Sequence, residues 1–220
     1  MGSRRTVSTL LTVLLVTSLA TGCAGEEDSP GAPVSQVSMH DDDGLHGVVL
    51  PKPYVLPDVA LRDTAERSVD LADAAEAPLT LVFFGYTHCP DICQAVMADI
   101  ASALTRLETG RRSQVAMYFV TTDPARDDAE RLREYLDRFD PSFDGLTGPL
   151  PHIVELGRAL DVHIEKGEEL PSGGYDVAHG TQIVGVLPDG SAPFVWTEGT
   201  DPASLADDIT TILDDEVPGL

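Results

Sequence analysis

The chain has 220 residues, of which 42% are hydrophobic, and this composition suits one ordinary domain with a packed core and a short additional segment. Its 14 Lys and Arg residues are outnumbered by 37 Asp and Glu residues, which gives a formal net charge of −23 at pH 7. Proteins that bind nucleic acid neutralise phosphates with Lys and Arg, so this balance argues against nucleic acid as a partner.

Residues 1–22 have the layout of a secretory signal peptide. Arg4 and Arg5 provide a positive start, and a short apolar stretch follows over Thr6–Thr21. Small residues then precede Cys23 as in a bacterial lipobox, where cleavage would leave Cys23 as a lipidated N-terminus. We therefore expect a lipoprotein held at the extracytoplasmic face of the cell membrane by its lipid anchor. An uncleaved anchor helix and a soluble secreted product are the alternatives.

Residues 23–46 are expected to form the lipidated cysteine and a flexible linker, because Gly, Pro, Ser and acidic residues dominate there. Residues 47–220 would then form the folded domain. The linker contains Met39, His40 and His46, which could bind a metal loosely. A solvated run of charged residues explains the same segment without a metal.

The hydrophobic pattern of residues 47–220 predicts a series of strands and helices. After an extended edge segment, the order is β-α-β-α-α-β-β-α, with the last two strands joined as a hairpin. In chain order, these elements are the edge segment Pro53–Leu61, strand Leu79–Phe84, helix Asp91–Glu108, strand Val115–Val120, helices Asp123–Phe139 and Leu150–Val162, hairpin Thr181–Thr197 and helix Asp201–Val217.

The order of these elements indicates an α/β fold. A strand that leads through a helix to another strand implies a parallel pair with a right-handed crossover. The late hairpin adds antiparallel strands to the same sheet. We therefore predict a thioredoxin-like mixed sheet flanked by helices.

Two cysteines lie between the first predicted strand and the first helix, in the stretch FGYTHCPDIC. Cys89 falls in the turn and Cys93 in the first turn of the helix, where the helix N-terminus favours thiolates. Three residues separate them, whereas thioredoxin-type enzymes have two. The pair could form a disulfide in an oxidising compartment or act as two soft ligands. Thiolates select Cu(I), for which three ligands suffice, whereas zinc would require a fourth.

A third ligand would come most simply from one of the six histidines. His88 adjoins Cys89 but would point elsewhere in a tight turn, and His152 and His163 lie in or beside a helical pattern. His179 stands immediately before a predicted strand, at the edge of the sheet where the cysteines are expected. In a thioredoxin-like fold a cis-proline would occupy that point. These positions make His179 a candidate ligand, and the patterns alone leave the choice open.

Four segments together resemble the Sco/SenC family of copper-binding proteins. They run in the family's order, and the similarity extends from about Gly47 to Trp196. The segments are FFGYTHCPDIC at Phe83–Cys93, VTTDPARD at Val120–Asp127, GLTG at Gly145–Gly148 and YDVAHGTQIVGVLPDG at Tyr175–Gly190.

The resemblance implies a thioredoxin-like domain that binds one copper ion through Cys89, Cys93 and His179. The ion would be Cu(I), with Cu(II) as a second candidate. Asp123 would lie outside the ligands, near the site, although capping of a helix is an equally good role for it. The implied partner is subunit II of cytochrome c oxidase, whose dinuclear copper centre the family helps to assemble.

The sequence departs from the family's pattern beside these residues. Ala178 and Gly180 flank His179, where the family often has Asp before the histidine and Ser or Thr after it. The missing aspartate could have oriented the imidazole, so its loss bears on copper affinity more than on the ligand set. Gln94 replaces a proline after the second cysteine.

Two functions use the same cysteines. A copper metallochaperone needs Cys89, Cys93 and His179, whereas a thiol–disulfide oxidoreductase that reduces the oxidase subunit or another exported protein needs only the cysteines, as a redox disulfide. The presence of His179 favours the metallochaperone. We therefore expect a binding protein rather than an enzyme, with accessory reductase activity left open because copper loading requires reduced thiols.

Overall fold

The computed structural model describes residues 44–74, 76–169, 175–215 and 217. The predicted signal peptide, Cys23, Met39 and His40 lie outside the described residues. The strands are β1 Val48–Val55, β2 Ala60–Arg62, β3 Ser68–Asp70, β4 Leu79–Gly85, β5 Val115–Thr121, β6 Asp144–Leu146, β7 Ile164–Glu169, β8 Tyr175–His179, β9 Ile183–Val186 and β10 Ser191–Trp196. The helices are α1 Leu71–Ala74, α2 Ile92–Arg106, α3 Thr109–Arg112, α4 Ala129–Leu136, α5 Leu150–Ala159 and α6 Pro202–Leu213.

A six-stranded mixed sheet in the order β1-β10-β9-β4-β5-β6 forms the centre of the fold. Strands β4, β5 and β6 are parallel, and β9, β10 and β1 continue the sheet in antiparallel pairs. The predicted thioredoxin-like mixed sheet flanked by helices is therefore confirmed.

The central strand β4 divides the core into two layers. All seven of its residues are buried, which is why its sequence is continuously apolar apart from one threonine and the last glycine. Leu81 and Phe83 pack on the layer that contains α2 and α6, whereas Val82 and Phe84 pack on the layer that contains α5. The loop after β4 consequently begins at a rigid, fully buried point.

The structure corrects the predicted elements in several places. The first strand already begins at Val48, and several unpredicted elements appear: the short strands β3 and β6, the hairpin β7–β8 and the short helices α1 and α3. Strand β6 has three residues, and β7 reads IEKGEE, so neither shows the apolar alternation from which strands are predicted. The two strands of the hairpin form a sheet of their own.

Helix α4 is shorter than predicted because Asp123–Asp128 forms a loop. The side chain of Asp128 accepts the Arg131 N–H at 2.8 Å, so Asp128 rather than Asp123 caps the helix. At the last helix, Asp201 accepts the N–H groups of Ala203 and Ser204 and so caps the helix.

Within the part of the chain that the structure describes, none of the helices has the length and apolar character needed to cross a membrane.

Candidate metal centre

Both cysteines of the pair are buried at the start of α2. Asp91 accepts the Ile92 N–H at 2.6 Å and so begins the helix. The Cys93 N–H donates to the Cys89 Sγ at 3.4 Å, so an amide of the first helical turn has this sulfur as its acceptor. Cys89 is 4% exposed and Cys93 is fully buried. Both are free thiols.

The loop that carries Cys89 is held by Asp127, a residue for which the sequence predicted no role. Its carboxylate accepts the Thr87 N–H at 2.9 Å and the Thr87 hydroxyl at 2.6 Å. It also accepts the hydroxyl of Thr121, at the end of β5, at 2.7 Å. The segment VTTDPARD contains two buried aspartates, and nothing in the sequence indicates which of them faces Thr87.

His179 is the last residue of β8, and not part of the loop that leads into β9. Its Nε2 lies 3.5 Å from the Cys93 Sγ. Its Nδ1 lies 2.8 Å from the carbonyl oxygen of Gly180, which can only accept, so this geometry assigns the proton to Nδ1 and leaves the Nε2 lone pair toward the thiols. A backbone carbonyl therefore orients the imidazole in a chain that has Ala178 in place of the family's aspartate.

One ligand atom each from Cys89, Cys93 and His179 lies within 4.8 Å of the other two. Among the described residues, this is the one group of three or more Cys, His, Asp or Glu side chains close enough to hold a metal ion. Two thiols and one imidazole suit a soft ion that accepts three ligands, which Cu(I) does. The three residues that the family resemblance implied as ligands therefore lie together, and their donor atoms suit Cu(I).

The pKa values of the two thiols are shifted in opposite directions. The Cys93 thiol donates to Cys89 and lowers the pKa of Cys89 to about 4, which burial opposes. The same hydrogen bond, together with burial, raises the pKa of Cys93. We therefore expect a thiolate on Cys89 and a thiol on Cys93 in the reduced protein.

The other described histidines lie away from this group. His88 is held at 3.1 Å from the Thr87 hydroxyl and 3.8 Å from an Asp127 oxygen. His152 contacts the Ala60 carbonyl, His163 contacts Glu165, and the exposed His46 contributes its backbone N–H to Asp208. His88, which was expected to point away from the cysteines, contacts Thr87 and Asp127 instead.

Asp123 is buried, and its carboxylate pairs with Arg126. The guanidinium carbon of Arg126 in turn lies 5.7 Å from the centre of the Tyr86 ring, and Tyr86 contacts the site directly. Asp123 is therefore connected to the metal centre through two other side chains.

A mixed sheet with two buried thiols and one imidazole at its edge defines a thioredoxin-like protein with a candidate soft-metal site. The model of the SCO1/SenC family matches residues 51–214. The chain belongs to this family.

Individual relatives agree with that assignment. A protein of Stutzerimonas stutzeri, whose name suggests copper binding, is 30% identical over 149 residues, covering 68% of this chain and 72% of that protein. The mitochondrial SCO1 homolog 1 of Arabidopsis thaliana is 32% identical over 130 residues, covering 59% of this chain. The match spans only 39% of that longer relative.

Solved structures share the fold. The crystal structure of Arabidopsis thaliana ScoI with copper bound superposes with a TM-score of 0.68 at 27% identity, covering 73% of this chain and 99% of the other. BsSco, described as a member of the Sco family of cytochrome c oxidase assembly proteins with a disulfide switch, superposes with a TM-score of 0.60. At 19% identity, with 76% of this chain and 98% of the other covered, the second likeness concerns the fold alone.

Proposed function

We propose that this protein is a copper metallochaperone that binds one copper ion, as Cu(I), through Cys89, Cys93 and His179. The observation that carries the proposal is the convergence of these ligand atoms within 4.8 Å. The copper-bound relative from Arabidopsis thaliana, at 27% identity, supports the choice of metal. The recipient would be subunit II of cytochrome c oxidase, whose dinuclear copper centre requires delivered copper. Cu(II) is the second candidate for the bound state.

A small opening beside the thiols suits transfer of the bound ion to a recipient. Cys93 is fully buried and Cys89 nearly so, whereas His179 is half-buried, so a recipient thiolate would reach the metal from the side of His179. Polar and apolar side chains of the Cys loop and of β8 line a small cavity at this point, among them Asp91, Asp176 and Thr181. Exchange of ligands through this opening would pass the ion on without exposing it to water.

An anaerobic titration of the reduced protein with Cu(I), against a competing chelator, tests this proposal. The parent should hold one copper ion, and His179→Ala should weaken binding at least about tenfold. His163→Ala is a matched control because His163 is exposed and its Nε2 lies 3.2 Å from the Glu165 carboxylate, away from the thiols. Equal affinity of His179→Ala and the parent would reject the three-ligand site.

A thiol–disulfide oxidoreductase is the second candidate function. The pairing of a thiolate on Cys89 with a thiol on Cys93 favours it, because a stabilised thiolate is the attacking species in disulfide exchange. This activity would need the cysteines alone, so His179→Ala should keep it. A parent that fails to hold copper but readily cycles a Cys89–Cys93 disulfide would favour the oxidoreductase.

The location of the protein is part of the proposal. We propose that Cys23 is lipidated and that residues 23–46 tether the copper domain to the extracytoplasmic face of the membrane. Labelling with a radioactive fatty acid, compared between the full chain and Cys23→Ser, tests this. Equal labelling of the two would reject Cys23 as the lipidation site.

A further inference from the structure

Tyr86 touches both halves of the candidate metal centre. Its carbonyl oxygen accepts the Cys89 N–H at 3.1 Å, so it belongs to the turn that presents the first thiol. Its ring stands edge-on to the His179 ring, with the centroids 5.9 Å apart and the planes at 89°. Tyr86 is 3% exposed. The residue is therefore fixed between the cysteine loop and the histidine.

The hydroxyl of Tyr86 makes a third connection. It donates to the carboxylate of Asp176, which lies in β8 three residues before His179. The acceptor oxygen of Asp176 also receives the Val177 N–H at 2.9 Å, so the carboxylate is oriented by its own strand. A hydrogen bond to an ionised acceptor is stronger than one between neutral groups.

The strand that carries His179 needs such a connection because of its place in the fold. Strands β7 and β8 form a two-stranded sheet that is separate from the six-stranded sheet. Two-stranded hairpins are only marginally stable alone, so contacts with the rest of the domain set the position of β8. Val177 and Ile164 supply apolar contacts to the core, and Asp176 supplies a directional polar one.

We propose that Tyr86 is a positioning residue for His179, and that its hydrogen bond to Asp176 holds the β7–β8 hairpin with the His179 imidazole against the cysteine pair before any metal arrives. This inference deepens the proposed copper function, on which it rests. The Gly180 carbonyl selects which imidazole nitrogen faces the thiols, and the Tyr86–Asp176 bond sets how close that nitrogen comes. Preorganisation of a ligand in this way lowers the entropic cost of ordering its side chain when the metal binds.

The first test uses the reduced, metal-free protein and the variant Tyr86→Phe, which removes the hydroxyl and keeps the ring. Amide hydrogen exchange of the β7–β8 hairpin should become about tenfold faster, because a bond to a charged group no longer opposes local opening. Tyr118→Phe is the matched control, since Tyr118 lies in β5 and should leave hairpin exchange unchanged. Unchanged hairpin exchange in Tyr86→Phe would overturn the proposal.

The second test measures Cu(I) affinity in a double-mutant cycle. Tyr86→Phe should weaken binding about tenfold in the parent and have no effect in the His179→Ala background. Equal losses in both backgrounds would show a general structural effect and would overturn the positioning role. A parent that holds no copper would reject the copper function. If Tyr86→Phe still accelerates hairpin exchange in that case, the Tyr86–Asp176 hydrogen bond would still be the contact that positions His179.

Discussion

The carboxylate of Asp127 receives two hydrogen bonds from Thr87, one from its backbone N–H at 2.9 Å and one from its hydroxyl at 2.6 Å. Forty positions separate the two residues in the chain, and Thr87 stands two residues before Cys89. The turn after β4 is thereby tied to the loop after β5, so the shape of the cysteine loop depends in part on a residue outside it. A buried carboxylate with three donors acts here as a fixed support for the metal centre.

Removal of the Asp127 carboxylate should destabilise the folded protein. Asp127→Ala leaves the half-buried Thr87 N–H and the buried Thr121 hydroxyl without their acceptor, and we expect the free energy of unfolding to fall by about 2–3 kcal/mol. Chemical denaturation of the reduced protein measures the change. Asp137→Ala serves as a control, since the Asp137 carboxylate is half exposed and pairs with Arg133 on the surface. Similar losses in the two variants would contradict the supporting role of Asp127.

Gly85 is required where the end of β4 passes the cysteine pair. A Cβ atom at this position would lie 2.8 Å from the Phe119 ring and 3.2 Å from the Cys93 Sγ. We expect Gly85→Ala to lower the free energy of unfolding by about 1–3 kcal/mol, because a packed ring and a buried thiol must both move. Denaturant titrations of the variant and the parent test this.

Gly110→Ala is the matched control for Gly85→Ala. Gly110 lies in helix α3 with open space where a Cβ atom would stand, so alanine there should be neutral or slightly stabilising. A Gly85→Ala protein as stable as the parent would show that the end of β4 tolerates a side chain.

The ionisation of Cys89 should depend on pH, with the thiolate lost as the pH falls. Because the Cys93 thiol lowers the pKa of Cys89 to about 4, the reduced, metal-free protein should keep this thiolate at neutral pH and lose it only in acid. Ultraviolet absorbance of the thiolate follows the titration. Cys93→Ala removes the donor, so the pKa of Cys89 should rise toward the ordinary thiol value of about 8.5.

Cys89→Ala completes the comparison. Burial raises the pKa of Cys93, so this variant should show no thiolate absorbance at neutral pH. A titration that is the same in Cys93→Ala and in the parent would refute the assignment of Cys93 as the donor.

Asp208 joins the start of the domain to its last helix. Its buried carboxylate accepts the backbone N–H groups of His46 and Gly47, at 2.9 and 2.8 Å, and the Trp196 indole N–H at 2.7 Å. We expect Asp208→Ala to reduce the free energy of unfolding by about 3 kcal/mol, since the buried Trp196 indole N–H and two backbone N–H groups lose their acceptor. Thermal unfolding measures the loss, with Asp207→Ala as the exposed neighbour that should change little. An equal shift for both variants would argue against the joining role.

Local patterns in the sequence were enough to predict the elements with a clear hydrophobic period and the place of the thiols. The apolar run of β4 and the helical spacing after Asp91 follow from local periodicity, which a short window of residues contains. The position of Cys89 and Cys93 between them follows from the same pattern. The four segments shared with the Sco/SenC family then singled out His179 among six histidines.

How these parts meet follows from the tertiary packing and not from any local pattern. That the His179 Nε2 approaches the Cys93 Sγ across 86 positions, and that Asp127 rather than Asp123 holds the cysteine loop, depends on which strands pair and in which register. The hairpin that carries His179 was missed because β7 lacks an alternating pattern, and its pairing with β8 is a contact between distant segments. Such contacts are set by chain topology and packing, which no local window encodes.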